Sequence, residues 1–259
     1  MKPTIKLPFL VATLSFASIV AMEPASAAPP VGKTTVVVVH GAFDNGASWN
    51  GVITRLQAEG LDVVAVNNPL TSLADDVAAT RRALDAQTGP VVLVGHSWGG
   101  MVITEIGNHP RVKSLVYVAS FAPSEGQSIV DLSKEYPTPS GLSHVVSDKE
   151  GFVSMTFEGI TRHFAQDVPL SETRLIAATQ GPIRGKAFEE KVTTAAWRTK
   201  PSWFIVSDND LMIQPALQLD NAQKIAATTI RLKAGHVPQL SKTSEVAAAI
   251  LAAAKVQPK

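Results

Sequence analysis

The chain predicts an α/β fold built on a doubly wound, mostly parallel sheet, and three observations carry that prediction. Short runs that are apolar on both faces, such as Val36–Val39 and Val91–Val94, suit strands buried in a parallel sheet. Single helical segments alternate with them, the arrangement that right-handed crossovers require. The alternation breaks once, over about 122–197, and then resumes.

Taken in order, Thr34–Val39 is the first strand and Ser48–Glu59 reads as a helix, followed by a strand over Leu61–Val66. Ser72 with Asp75 three residues on is a capping-box pattern. The helix it opens sets Leu73, Val77 and Leu84 along one face. Pro90 precedes the strand Val91–Val94, Trp98–Asn108 is helical up to Pro110, and Val112–Ala119 is the next strand. In the interruption, Pro123, Pro137, Pro139, Pro169 and Pro182 punctuate helical pieces read over Phe152–Ala165 and Ser171–Thr179. So long a stretch is expected to be a helical lid, because a structureless loop of that length is uncommon inside a compact domain. Ser202–Val206, Pro215–Ala226, Thr228–Leu232 and Thr243–Ala254 then read as strand, helix, strand and helix.

Composition narrows the function. The 259 residues are 45% hydrophobic and 17% charged, with 23 Lys and Arg against 22 Asp and Glu. A near-neutral chain without a basic patch is no nucleic-acid binder, and the partner implied is a small molecule. There is no cysteine, which excludes disulfides, thiolate metal sites and a cysteine nucleophile. Lys2 and Lys6 precede an apolar run from Leu7 to Met22, and Ala25-Ser26-Ala27 follows. That is the layout of a secretory signal peptide over residues 1–27, leaving a mature domain of 28–259 that starts near Ala28. The expectation is an exported protein, periplasmic or secreted, without stable membrane insertion after cleavage, since the run is short for a span.

The chemistry is expected at Gly95-His96-Ser97-Trp98-Gly99, which joins an apolar strand directly to a helical segment. A nucleophile on so sharp a turn needs small neighbours, and the turn lifts the Ser97 hydroxyl above the sheet at a helix N-terminus. Serine requires a base and an orienting acid. His236 alone lies in the last part of the chain, one short loop after the strand Thr228–Leu232. Asp208 and Asp210 both follow the strand Ser202–Val206. Asp210 is favoured because 211–215 lead into the next helix, with Asp208 then a turn residue. His40-Gly41-Ala42-Phe43 follows the first strand, where backbone amides of Ala42 and Trp98 would form an oxyanion hole and His40 would hold the loop. Phe43, Phe121, Phe152 and Met155 are expected to wall an apolar substrate pocket with Trp98, Phe157 and Phe164. The lid aromatics are equally read as packing between lid and core. Gly32-Lys33-Thr34 resembles the end of a phosphate-binding loop, but it precedes a strand where such a loop would follow one.

With these segments assembled, and with Phe121-Ala122-Pro123, Pro201-Ser202-Trp203 and Gly235-His236, the chain resembles the α/β-hydrolase superfamily over nearly all of its mature length. More narrowly it is similar to the compact group of plant methyl-ester esterases and hydroxynitrile lyases with their bacterial relatives. The resemblance implies the α/β-hydrolase fold with a helical lid after its sixth-strand position. It also implies a triad of Ser97, Asp210 and His236, no metal or other cofactor, and small-molecule ester substrates. The lyases of that group carry Thr after the first-motif histidine and Lys after the base, where this chain has Gly41 and Val237. That points to ester hydrolysis. The same triad would also serve lactone opening, carbon–carbon bond cleavage or perhydrolysis, or a receptor with little turnover.

Overall fold

A computed structural model describes residues 32–256, together with Met1 and Pro3. The signal-peptide reading for residues 1–27 otherwise lies outside the described residues. β1 (Thr35–Val39) leads through a 3-10 turn, Gly46–Trp49, into α1 (Asn50–Ala58), where the sequence read one helix from Ser48. β2 (Asp62–Val66), α2 (Leu73–Asp85), β3 (Val91–His96), α3 (Gly99–Ile106) and β4 (Val112–Val118) follow. Ser72 caps α2 by accepting from the Asp75 amide at 3.0 Å, as the spacing predicts.

The excursion after β4 contains α4 (Ile129–Ser133), β5 (Val145–Ser147), β6 (Phe152–Met155), α5 (Phe157–Gly159), α6 (Leu170–Thr179) and β7 (Ile183–Arg184). This corrects the expectation of a purely helical lid. Phe152–Met155 is a strand paired antiparallel with both β5 and β7. The reversal before it is local chemistry: Gly151 takes φ +83°, and the Asp148 carboxylate accepts from the Phe152 amide at 2.8 Å. The helical part of that segment shrinks to α5 and a π-helical turn, Ile160–Phe164. β8 (Ser202–Ser207), α7 (Pro215–Lys224), β9 (Thr228–Leu232), α8 (Pro238–Ser241) and α9 (Thr243–Ala254) complete the chain.

Six strands form one parallel sheet in the order β2-β1-β3-β4-β8-β9, so the lid enters after the sheet's fourth strand in chain order. Alternate residues serve opposite faces. Val37, Leu93, Tyr117 and Phe204 pack with α2, α3, α7 and the lid. Val36, Val38, Val92, Val94, Val116 and Ile205 pack against Trp49, α1 and α9. Burial on both sides explains why these strands read as continuous apolar runs. From β1 the chain crosses to β2 on one side and then returns to β3 on the other. The crevice beyond the carboxyl ends of β1 and β3 is therefore a topological switch point, the place where such sheets bind ligands.

Candidate active site

The turn after β3 holds Ser97 in the left-handed region at φ +51°, a conformation that costs a non-glycine residue about 1–3 kcal/mol and persists only where packing enforces it. Here the enforcement is close backbone approach. A Cβ on Gly95 would lie 2.5 Å from the Gly99 carbonyl oxygen, and one on Gly99 would lie 2.6 Å from that of Val39. The Ser97 amide donates to the Val118 carbonyl at 3.2 Å, and the Ser120 hydroxyl donates to the Ser97 carbonyl at 2.7 Å. Ser97 is therefore pinned to the end of β4 from both sides.

His236 Nε2 lies 2.9 Å from Ser97 Oγ, and His236 Nδ1 lies 2.8 Å from Asp210 Oδ2. All three side chains are buried. A carboxylate only accepts, so Nδ1 carries the hydrogen and the Nε2 lone pair faces the serine hydroxyl. Asp210 also accepts from the amides of Met212 at 2.7 Å and Ile213 at 3.0 Å, and from Gln218 Nε2 at 2.7 Å. Gln218 went unseen in the sequence. It is fully buried on α7 and is itself fixed, its Oε1 accepting from the Ser207 amide at 3.0 Å. Asp208 is not part of this relay. Its carboxylate pairs with Arg231 at 2.9 Å on the surface.

His40 holds its loop as expected. Its Nε2 accepts from the Asn68 amide at 3.0 Å, leaving Nδ1 to donate to the Gly41 carbonyl at 2.8 Å. Ala42 and Trp98 flank Ser97 at the cavity, and no acceptor among the described residues takes their amide hydrogens. The Trp98 indole is fixed from behind by Asp76, whose Oδ2 accepts from Nε1 at 2.7 Å while Oδ1 accepts from the Leu70 amide at 2.8 Å. Burial pushes the Asp76 carboxyl above the usual carboxylate range, against the lowering effect of those two donors.

Ser97 and His236 open onto a cavity of about 410 Å³. Phe43 and Phe121 line it, as the sequence suggested, but Phe152 and Met155 do not. Phe152 lies half-buried on β6 beneath the Arg184 guanidinium, 5.6 Å from its ring centroid, and Met155 is buried in the packing of the lid on the core. Strand geometry is the reason: β6 belongs to the small sheet, so its side chains serve that sheet's faces. The walls come instead from 129–142, Phe188, and Met212, Ile213 and Leu217. Phe157 is half-exposed and also absent from the lining, whereas Phe164 meets the His236 ring edge-on at 5.1 Å and Phe43 at 6.5 Å. Directly after Phe164, Gln166 donates to the Asn209 carbonyl and Asp167 accepts from the Gly235 amide, both at 2.8 Å. One lid segment thus fastens the loops that carry both the acid and the base.

Comparison with known proteins agrees with this architecture. The chain is 26% identical over 234 residues to an alpha/beta hydrolase of Aspergillus novofumigatus, covering 81% of this chain and 92% of that protein. It is 25% identical over 248 residues to a carbendazim hydrolyzing esterase of Nocardioides sp., covering 74% and 98%. Among solved structures, a pyrethroid hydrolase of Sphingobium faniae superposes with a TM-score of 0.74 at 20% identity, covering 87% of this chain and 98% of that one. Residues 36–249 match the model of the alpha/beta hydrolase family. A match over most of the chain, on a six-stranded parallel sheet with its crevice at the switch point, makes this protein a member of the alpha/beta hydrolase family.

Proposed function

We propose that the protein hydrolyses carboxylic esters of small apolar substrates through an acyl-enzyme formed on Ser97. The single observation that supports this most strongly is the buried relay from Asp210 through His236 to Ser97 at the mouth of an apolar cavity. The named activities of relatives, carbendazim and pyrethroid hydrolysis, are of the same kind.

In this reading His236 Nε2 removes the Ser97 proton as Oγ attacks the ester carbonyl, and Asp210 stabilises the resulting imidazolium. The free amides of Ala42 and Trp98 receive the oxyanion, at the end of α3 where the helix dipole favours negative charge. His236 then passes its proton to the departing alcohol, and water repeats the sequence to free the acid. Phe43, Phe121, Phe188, Met212 and Leu217 line the cavity, exclude water from the bound ester and strengthen each of these electrostatic contacts.

A panel of p-nitrophenyl esters of graded acyl length tests the reaction, with a fluorophosphonate probe testing the nucleophile. The wild type should turn over short and medium esters and take the label, and Ser97→Ala should do neither while keeping its fold. Labelling that survives in Ser97→Ala would place the nucleophile elsewhere.

A further inference from the structure

Behind the base lies a second acid–imidazole pair that the proposed reaction does not use. His96, next to Ser97, is fully buried, and its ring lies 4.9 Å from that of His236. Its Nε2 is 2.8 Å from the His236 main-chain carbonyl. A carbonyl oxygen only accepts, so Nε2 carries a hydrogen, and a neutral His96 presents a bare lone pair at Nδ1. That lone pair faces Asp44 Oδ2 at 3.7 Å. Asp44 is 3% exposed, and its other oxygen already accepts from the Asn45 amide at 2.8 Å. At that separation they are not hydrogen-bonded to each other, and neither atom has a hydrogen-bond partner among the described residues.

Two acceptors facing each other in a dry interior repel, and each is left with its desolvation cost. One proton between them removes both problems. We infer that Asp44 and His96 share a single proton, carried on the Asp44 carboxyl and turned toward His96 Nδ1 across the 3.7 Å between them, and that through this couple His96 positions His236. Burial acts in the same sense on both partners, raising the Asp44 carboxyl against the lowering effect of His40, the Ser48 hydroxyl and the Asn45 amide, and lowering the His96 imidazole, so the neutral arrangement is preferred to an ion pair. The other titratable groups facing the couple are His40 and His236, and Glu172 lines the cavity of about 380 Å³ that Asp44 borders. A protonated Asp44 places no unpaired negative charge beside the base. His236 is held twice, by its main-chain carbonyl at His96 and by its ring at Asp210.

The positioning half rests on His236 being the base of the proposed hydrolysis, and the proton half does not. The test accordingly has two readouts. An infrared difference spectrum of wild type against Asp44→Asn at neutral pH should show the carbonyl stretch of a protonated carboxylic acid in the wild type alone. In ester hydrolysis, Asp44→Val should lower kcat about tenfold or more at nearly unchanged KM, because small misplacement of a catalytic group costs up to about 100-fold. Asp44→Asn, whose amide can donate to His96 Nδ1, should recover most of that loss. A difference spectrum without the acid band would overturn the shared proton. Asp44→Val equal to wild type, or Asp44→Asn as impaired as Asp44→Val, would overturn the positioning role. If the wild type hydrolyses no ester at all, the spectrum still decides the proton, and only the functional reading falls.

Discussion

Asp210→Asn tests the relay with the least change in shape, and the surroundings of the carboxylate decide which way the new amide turns. Asp210 accepts four hydrogen bonds, two backbone amides at Oδ1 and the His236 and Gln218 nitrogens at Oδ2. If the Asn NH2 takes the Oδ1 position, it faces the Met212 and Ile213 amides, and both of those donors lose their acceptor. If it takes the Oδ2 position, it donates to His236 Nδ1 and forces the hydrogen onto Nε2, which then points at Ser97 and can accept nothing. Gln218 cannot turn to relieve this second arrangement without setting its NH2 against the Ser207 amide. The second arrangement conserves the two backbone hydrogen bonds, so the wrong tautomer should dominate. The corresponding change in a well-measured triad lowers kcat about 10⁴-fold, or about 5.5 kcal/mol of transition-state stabilisation. The assay is kcat on the best p-nitrophenyl ester, with thermal melting to confirm the fold and Asp208→Asn as the comparison. Among the described residues the Asp208 carboxylate engages only Arg231, at the surface, where such pairs contribute little, so its substitution should leave kcat within about twofold of wild type. An Asp210→Asn enzyme within about tenfold of wild type, or a reversed order of the two variants, would refute the assignment.

The cavity predicts a contrast between two phenylalanines. Phe188→Ala should raise KM about tenfold for the longer esters, since a lost aromatic wall exposes roughly 50 Å² of apolar ligand surface. Phe152→Ala should leave KM unchanged across the same panel, and equal effects of the two would reject the pocket as drawn. The wild type should release no cyanide from mandelonitrile, measured colorimetrically, because Val237 is a fully buried apolar residue where the lyases carry an ammonium. Gly41→Thr should cut ester hydrolysis at least tenfold, since a Cβ there would lie 2.8 Å from Ser97 Cβ and push the nucleophile off its position; an unimpaired variant would contradict that. Protein recovered from its native source should give an N-terminal sequence beginning near Ala28, and an intact chain starting at Met1 would reject cleavage.

The sheet and the relay were legible because their signals are local. A strand buried on both faces must be apolar throughout, so Val36–Val39 and Val91–Val94 announce themselves without any partner. The turn at Ser97 demands glycine on both sides for backbone reasons, and the close approach of Gly95 and Gly99 to neighbouring carbonyls is that demand in atomic form. His236 and Asp210 stand after β9 and β8, and a parallel sheet puts each such loop at the same edge. Even the choice between Asp208 and Asp210 had a local basis, the turn of 211–213 whose amides fold back onto the Asp210 carboxylate.

The lid and the residues behind the relay carry no comparable signal. Phe152 and Met155 are as apolar as Phe188 and Leu142, and composition cannot say which of them a small antiparallel sheet will turn away from the cavity. Gln218 and Asp76 look in the sequence like ordinary solvated helix residues. Their importance comes from total burial, which forces each polar atom to find a partner, and the partners within reach are Asp210 and Trp98. Asp44 and His96 show the same logic carried further. His96 lies inside one motif that the sequence marks and Asp44 directly follows another, yet 52 positions separate them along the chain, and only the closure of the β1 and β3 loops over one crevice brings a carboxyl near an imidazole. Polar groups acquire fixed partners in this interior where packing removes water, so the walls of the cavity are set by the tertiary contacts of the lid, while the placement of the relay is set by the loops of the sheet.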